Sequence, residues 1–285
     1  MTASIMKICK TIAETKEYLS LILESGKTIG FVPTMGALHA GHISLLTAAS
    51  MNEDFVATSI FVNPIQFNKK ADLEKYPRTL EEDIRKLEEI GCDLLFNPDV
   101  EEMYPEPVED KYDFGQLDKI LEGKHRPGHF NGVAVVVRKL FEIIQPNRAY
   151  FGLKDYQQLR IIQTMTRKLG MPVEIVPCST KRERDGLAMS SRNVRLTRDE
   201  RAIAPVIYRV LSGVKERVKQ LSLAEAEQWA IHQLNNYNEL VLEYFEIVNA
   251  DTMLRPDNWQ DADSMLACTA VHLGKVRLID NLILF

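Results

Sequence analysis

Apolar runs of strand length alternate with helical patterns along the first two-thirds of the chain. The strand-like runs are Thr28–Val32, Phe55–Val62, Asp93–Asn97, Ala149–Gly152 and Val173–Pro177, and the helical segments lie near Gly41–Met51, Thr79–Gly91, Gly132–Ile144 and Asp155–Gly170. This alternation predicts an α/β fold, a doubly wound parallel sheet whose ligands bind at the carboxyl ends of the strands. The Val133–Val137 run is β-branched, but the pattern continues to Ile144 without a turn signal, so we predict a helix there.

Helix ends are marked by capping patterns. Thr79 with Glu82 three residues later predicts a capping box at the start of one helix. Gly91 and Gly170 predict where two helices end, because glycine adopts the left-handed conformation that closes a helix.

The pattern changes after about Arg184. The pairs Thr197–Glu200 and Ser222–Glu225 predict capping boxes for helices that run to about Leu221 and Asn235. Three apolar runs follow, at Leu240–Val248, Met265–Leu273 and Val276–Phe285, with a turn at His272–Lys275. Two helices followed by three strands predict a smaller C-terminal α+β domain, so the expected domains are 1–184 and 185–285.

Composition narrows the class of protein. The chain has 285 residues, 45% of them hydrophobic, and a net charge of −5, which argues against a general nucleic-acid partner. No apolar run is long enough for a membrane span, and the N-terminus does not resemble a signal peptide. The four cysteines are dispersed and predict neither a zinc site nor a disulfide framework. We therefore expect a cytoplasmic protein.

Two histidines mark the strongest candidate site. His39 and His42 follow the strand-like run that ends at Val32 and lie where the next helix begins. A helix N-terminus favours phosphate, and imidazoles beside it can donate to a polyphosphate. Gly36 and Gly41 allow a nucleotide to approach the backbone. By itself such a histidine pair is more often a surface feature or, less often, half of a metal site.

Two further segments offer polar groups. Asn63 and Gln66 follow the second strand-like run and suit hydroxyl or carboxylate recognition, although a simple polar turn explains the spacing as well. Arg126 and His129 lie in a basic, glycine-rich loop that suits an anion or is only a solvated loop.

Cations and hydroxyls cluster in two later segments. Lys154 can reach a phosphate, and Asp155 can cap a helix or meet a ribose hydroxyl, although a lysine at a helix start is usually only solvated. Ser190, Ser191 and Arg192 can surround a triphosphate, although a Ser-Ser-Arg loop is most often structural.

Five motifs together resemble one known family. The string Pro33–His42 resembles the HIGH motif of the nucleotidylyl-transferase superfamily, and the run Met189–Asn193 matches the form used by its pantoate–β-alanine ligases. The segments around Gln66, Arg126 and Lys154 match the same family in order. Lys181 departs from it, standing where many members carry valine.

The resemblance implies a Rossmann-like fold and a role for each matched residue. The implied catalytic residues are His39, His42, Lys154, Ser190, Ser191 and Arg192. The implied ATP-binding residues are Met35, Gly36, Ala37, Leu38, His39, Ala40, Gly41, His42, Gly152, Leu153, Lys154, Asp155, Lys181, Met189, Ser190, Ser191 and Arg192. The implied substrate-binding residues are Asn63, Gln66, Arg126, His129 and Gln158.

The implied reaction joins pantoate to β-alanine. ATP, with Mg²⁺, converts pantoate to pantoyl adenylate, and β-alanine then displaces AMP. The metal ligands are unassigned, with Asp83 and Glu82 as candidates, and the resemblance implies a homodimer. The alternatives are another nucleotidyl transferase, whose product retains the nucleotide, and a non-catalytic nucleotide sensor. An aminoacyl-tRNA synthetase fits less well, since the chain is short and acidic.

Overall fold

A computed structural model describes residues 6–68 and 70–285, which form two units. The first unit runs to Leu153 and includes Gln158–Ser179, and the second comprises Lys154–Gln157 and Thr180–Phe285. Residues 154–157 and 180–184 therefore belong with the second unit, in contrast to the expected division at 184/185. The first five residues, on which part of the signal-peptide prediction rests, lie outside the described residues.

The first unit is built on a six-stranded sheet whose strand pairings are all parallel. Its strands are β1 (Lys7–Cys9), β2 (Ile29–Thr34), β3 (Phe55–Ile60), β4 (Leu94–Phe96), β5 (Arg148–Gly152) and β6 (Glu174–Cys178). Their order is β1-β4-β3-β2-β5-β6, so the winding direction reverses between β2 and β5. Ligands of such sheets bind at this reversal, beyond the carboxyl ends of the strands.

Helices cover both faces of the sheet. They are α1 (Ile12–Glu24), α2 (Ala40–Ser50), α3 (Lys70–Glu74), α4 (Leu80–Glu89), α5 (Val100–Met103), α6 (Leu121–His125), α7 (His129–Ile144) and α8 (Tyr156–Lys168). Because side chains alternate along a strand, Phe31 of β2 packs with Phe141 of α7, and Val32 packs with Leu46 and Leu87 on the other face. The predicted doubly wound fold is thus confirmed.

The start of the chain was not predicted from its pattern. Strand β1 has only three residues, too few for a period-two pattern to show. Helix α1 has a capping pattern that is visible in the sequence, a threonine at Thr11 followed three residues later by Glu14. In the structure the Thr11 hydroxyl accepts the Glu14 backbone N–H at 3.2 Å. The Val133–Val137 run lies inside α7, as predicted.

One predicted helix cap is wrong. Thr79 precedes α4, but its hydroxyl donates to the Asp83 carboxylate at 3.2 Å instead of capping the helix. Glu82 forms an ion pair with Lys86 at 2.7 Å and does not complete a box. A tertiary role for Asp83, described below, outcompetes the local cap.

The second unit combines three helices with an antiparallel sheet of strand order β7-β8-β9. Its elements are α9 (Arg198–Ile203), α10 (Val206–Arg217), α11 (Leu223–Asn235), β7 (Leu240–Asn249), β8 (Met265–Leu273) and β9 (Val276–Ile283). The capping boxes at Thr197 and Ser222 are confirmed. The single helix expected to reach Leu221 is two helices, because Pro205 has no N–H to continue the first.

Two further findings bear on function. Among the residues described, no helix is long and apolar enough to cross a membrane. The four cysteines are free thiols, and burial raises the pKa of Cys92 to about 12. Since the thiolate is the nucleophile, Cys92 is unsuited to covalent catalysis at neutral pH.

Candidate active site

The two predicted histidines together cap helix α2, directly after β2. The His39 Nδ1 atom accepts the Gly41 N–H at 3.1 Å, and the His42 Nδ1 atom accepts the His39 N–H at 3.3 Å. Their ring centroids are 4.1 Å apart. With Nδ1 accepting in both, each neutral ring carries its hydrogen on Nε2. The pair therefore has the tautomer needed to donate from Nε2 to an anion.

The loop before these histidines is held by Asp83 of α4. This fully buried carboxylate accepts the backbone N–H groups of Ala37 and Leu38 at 2.8 and 2.7 Å. Ala37 needs such support, because its φ of 50° is costly for a residue other than glycine, whereas Gly36 adopts its φ of 79° without strain. Lys86 adds a bond from Nζ to the Leu38 carbonyl at 2.7 Å.

Asp83 and Glu82 are the candidates that the sequence offers to assist a metal. Asp83 instead binds backbone N–H groups, and Glu82 pairs with Lys86. Within the described part of the chain, no group of three or more His, Cys, Asp and Glu side chains is arranged to hold a metal ion.

Asn63 and Gln66 form a buried pair of carboxamides after β3. The Asn63 Nδ2 atom donates to Gln66 Oε1 at 3.0 Å and to the Gly132 carbonyl at 3.1 Å. Gln66 Nε2 lies 3.0 Å from the Met35 sulfur, so this pair contacts the histidine loop. A simple solvated turn is excluded by this burial.

Helix α7 approaches the Asn63–Gln66 turn closely at its N-terminal end. A Cβ on Gly132 would lie 2.5 Å from the Ile65 carbonyl oxygen, so only glycine permits this approach. The His129 Nδ1 atom is 2.9 Å from the Gln66 carbonyl oxygen, and its Nε2 is 3.0 Å from Arg126 Nη1. His129 thus donates from Nδ1 to Gln66 and accepts at Nε2 from Arg126, so Arg126 is linked to Gln66 through His129.

The segment after β5 has a tight turn at Leu153–Asp155, followed by α8. The Lys154 carbonyl accepts from Asn281 Nδ2 of β9 at 2.7 Å. Asp155 is exposed, and Gln158 is half-buried in the first turn of α8. Their roles stay predictions.

The loop that carries Ser190, Ser191 and Arg192 is internally hydrogen-bonded. The Met189 N–H donates to the Lys181 carbonyl at 3.0 Å, and the Arg192 N–H donates to Ser190 Oγ at 3.3 Å. These bonds hold the hydroxyls and the guanidinium on one ordered turn.

A buried ion pair anchors the same loop to β9. Arg182 donates to both carboxylate oxygens of Asp280, at 2.6 and 3.0 Å, and also to the Gly186 and Asn281 carbonyls. Burial raises the pKa of Asp280, and the Arg182 guanidinium opposes that shift. Since Asn281 also holds Lys154, strand β9 supports both predicted nucleotide segments of the second unit.

Comparison with known proteins decides the family. Residues 7–283 match the model of the pantoate–β-alanine ligase family. The chain belongs to the pantoate–β-alanine ligase family.

Relatives within this family match over nearly their whole length. The pantothenate synthetase of Porphyromonas gingivalis is 52% identical over 278 residues, covering 97% of this chain and 99% of the relative. A crystal structure of the Thermus thermophilus enzyme covers 98% of this chain and all of that one, with 45% identity and a TM-score of 0.92. The Francisella tularensis ligase, 36% identical with a TM-score of 0.80 and 98% coverage of both chains, was solved with β-γ ATP and β-alanine. The family and fold expected from the motifs are confirmed.

Several residues that shape the site lie outside the family motifs recognised in the sequence. They are Asp83, Tyr104, Gly132, Arg182, Asp280 and Asn281. Two carried a readable signal: Asp83 occupies the apolar stripe of α4 between Leu80 and Leu87, and Asp280 interrupts the apolar run of β9. Tyr104 and Gly132 gave none, since their partners are distant in sequence.

Proposed function

We propose that this chain is an ATP-dependent ligase that condenses pantoate with β-alanine to give pantothenate, AMP and pyrophosphate through pantoyl adenylate. Family membership over residues 7–283 and the ATP and β-alanine complex of the Francisella tularensis relative support this reaction. The main structural support for this reaction is a contact: the loop before the histidine-capped N-terminus of α2 meets the buried carboxamide pair through Met35 and Gln66. A phosphate-binding element and a hydroxy-acid-binding element thus meet at the carboxyl end of β2.

The first step is attack of the pantoate carboxylate on the α-phosphorus of ATP. A C–O–P linkage forms, and the bond to pyrophosphate breaks. Negative charge builds on the phosphoryl oxygens, where His39 and His42 donate hydrogen bonds from Nε2 at the positive end of α2. In the second step the β-alanine amine attacks the acyl carbonyl and AMP leaves.

The buried polar groups beside helix α2 are proposed to bind pantoate. Gln66 donates to its oxygens, and Asn63 holds Gln66 in place. Arg126 contributes positive charge and His129 orders the loop, while Gln158 is assigned by resemblance alone. The pocket binds an acceptor-rich acid because Gln66 offers N–H groups.

The remaining nucleotide assignments rest on the family motifs. In the second unit, Lys154, Asp155, Lys181, Met189, Ser190, Ser191 and Arg192 are assigned to ATP. Lysine and arginine supply charge to phosphates, and serine hydroxyls supply donors. Gly152 and Leu153 allow the nucleotide to approach the end of β5.

The proposal also covers the metal ion, the oligomeric state and the cellular location of the enzyme. ATP enters as its Mg²⁺ complex, with the ion held by phosphate oxygens and water, as magnesium commonly is. Resemblance suggests a homodimer. Four free cysteines and the acidic net charge support a cytoplasmic enzyme without a nucleic-acid partner.

Gln66→Ala tests the pantoate assignment. Loss of its buried donors is expected to raise the KM for pantoate about tenfold or more, with a smaller effect on the KM for ATP. The measurement is AMP release as a function of pantoate concentration, with Gln228→Ala as a control that removes an exposed carboxamide on α11. An unchanged pantoate response would reject the assignment, and a product that retains the nucleotide would indicate a nucleotidyl transferase.

A further inference from the structure

The orientation of two buried carboxamides decides what the proposed pantoate pocket presents. A carboxamide offers an acceptor on one side and donors on the other, and a flip exchanges them. Gln66 therefore presents either N–H groups or an oxygen to a bound acid, depending on its hydrogen-bond partners.

The Gly132 carbonyl fixes one end of this arrangement. A carbonyl oxygen only accepts, so the Asn63 atom 3.1 Å from it must be the nitrogen. That nitrogen donates its second hydrogen to Gln66 Oε1 at 3.0 Å. Gln66 is thereby oriented with Nε2 on the side of Met35, 3.0 Å from its sulfur.

Tyr104 fixes the other end. Its hydroxyl lies 2.9 Å from Asn63 Oδ1, and because that oxygen only accepts, the tyrosine donates. The ring is held against Phe61 with centroids 6.0 Å apart. Lys139 contacts its face and also donates to the carbonyl of Met103, the preceding residue.

Burial also favours the protonated form of the phenol. Burial raises the pKa of Tyr104 well above its ordinary value, so the hydroxyl remains a donor at neutral and moderately alkaline pH. Tyr104 therefore donates to Asn63, and Asn63 in turn donates to Gln66.

We propose that Tyr104 is a positioning residue for pantoate: through Asn63 it holds Gln66 with its N–H groups toward the substrate, so that the pocket selects an acid with an acceptor oxygen there. Tyr104 need not touch the substrate. The proposal rests on the proposed role of Gln66. The weakly accepting Met35 sulfur is readily replaced by a substrate oxygen.

Tyr104→Phe tests the proposal by removing one oxygen atom. The expected result is a KM for pantoate raised about five- to tenfold, with kcat and the KM for ATP changed less than about twofold. Tyr112→Phe is the matched control, because it removes a hydroxyl that accepts from Arg138 in the same unit. Equal pantoate KM values for Tyr104→Phe and wild type would overturn the proposal.

A double-variant cycle separates this proposal from its premises. In a Gln66→Ala background, Tyr104→Phe is expected to have no further effect on the KM for pantoate. A full additional effect there would show that Tyr104 does not act through Gln66, and would overturn the relay. Absence of pantoate-dependent AMP release by wild type would instead reject the proposed function, and an unchanged pantoate KM in Gln66→Ala alone would reject the role of Gln66.

Discussion

His42→Ala is expected to lower the rate of adenylate formation by about 100- to 1000-fold, the usual cost of removing one donor to developing charge. The reason is local: Nδ1 of His42 caps the His39 N–H, which leaves its hydrogen on Nε2. The rate is measured as pantoate-dependent loss of ATP in a single turnover.

The control for this variant is His232→Ala, which removes an exposed imidazole from α11. Folding of His42→Ala is expected to change little, since loss of a helix cap costs about 1 kcal/mol. Near-normal turnover in His42→Ala would remove this residue from the mechanism.

Arg182→Met is expected to destabilise the second unit by about 3–5 kcal/mol, because it strands the buried carboxylate of Asp280 without its partner. The free energy of unfolding is measured by denaturant titration. Arg201→Met is the control, since its pair with Asp185 is partly exposed and contributes at most about 1 kcal/mol.

The loss of unfolding free energy in Arg182→Met is also expected to depend on pH. Burial raises the folded-state pKa of Asp280, and removal of Arg182 removes the main opposing influence. A carboxyl whose folded pKa lies above its unfolded pKa favours folding below that unfolded value, about pH 4, and loses this contribution as pH rises. The deficit of Arg182→Met should therefore grow as the pH rises above about pH 4.

A second substitution tests the cause of that deficit. Adding Asp280→Asn to Arg182→Met removes the stranded charge and is expected to restore much of the stability and abolish its pH dependence. A double variant as unstable and as pH-dependent as Arg182→Met would contradict the buried-charge explanation.

The histidine site was predictable because its signals are local. Strand β2, the turn after it and the first turn of helix α2 lie in one continuous segment. His39 and His42 are three residues apart within it. The same holds for the capping boxes at Thr197 and Ser222. Short-range periodicity and capping express themselves in neighbouring residues.

The supporting network was not predictable because its contacts are long-range. Asp83 binds the backbone of Ala37, 46 positions away, and Asn63 binds Gly132, 69 positions away. The capping box predicted at Thr79 failed for the same reason: Asp83, buried by the tertiary fold, accepts the Thr79 hydroxyl. At Thr79 the tertiary contact therefore overrides the local preference for a helix cap.

The most direct test of the proposed reaction is pantoate-dependent exchange of labelled pyrophosphate into ATP, with Mg²⁺ and without β-alanine. We expect exchange that saturates with pantoate, because adenylate formation is reversible and precedes the amine. Absence of exchange by folded, ATP-binding protein would contradict the adenylate mechanism and favour another nucleotidyl transferase or a nucleotide sensor.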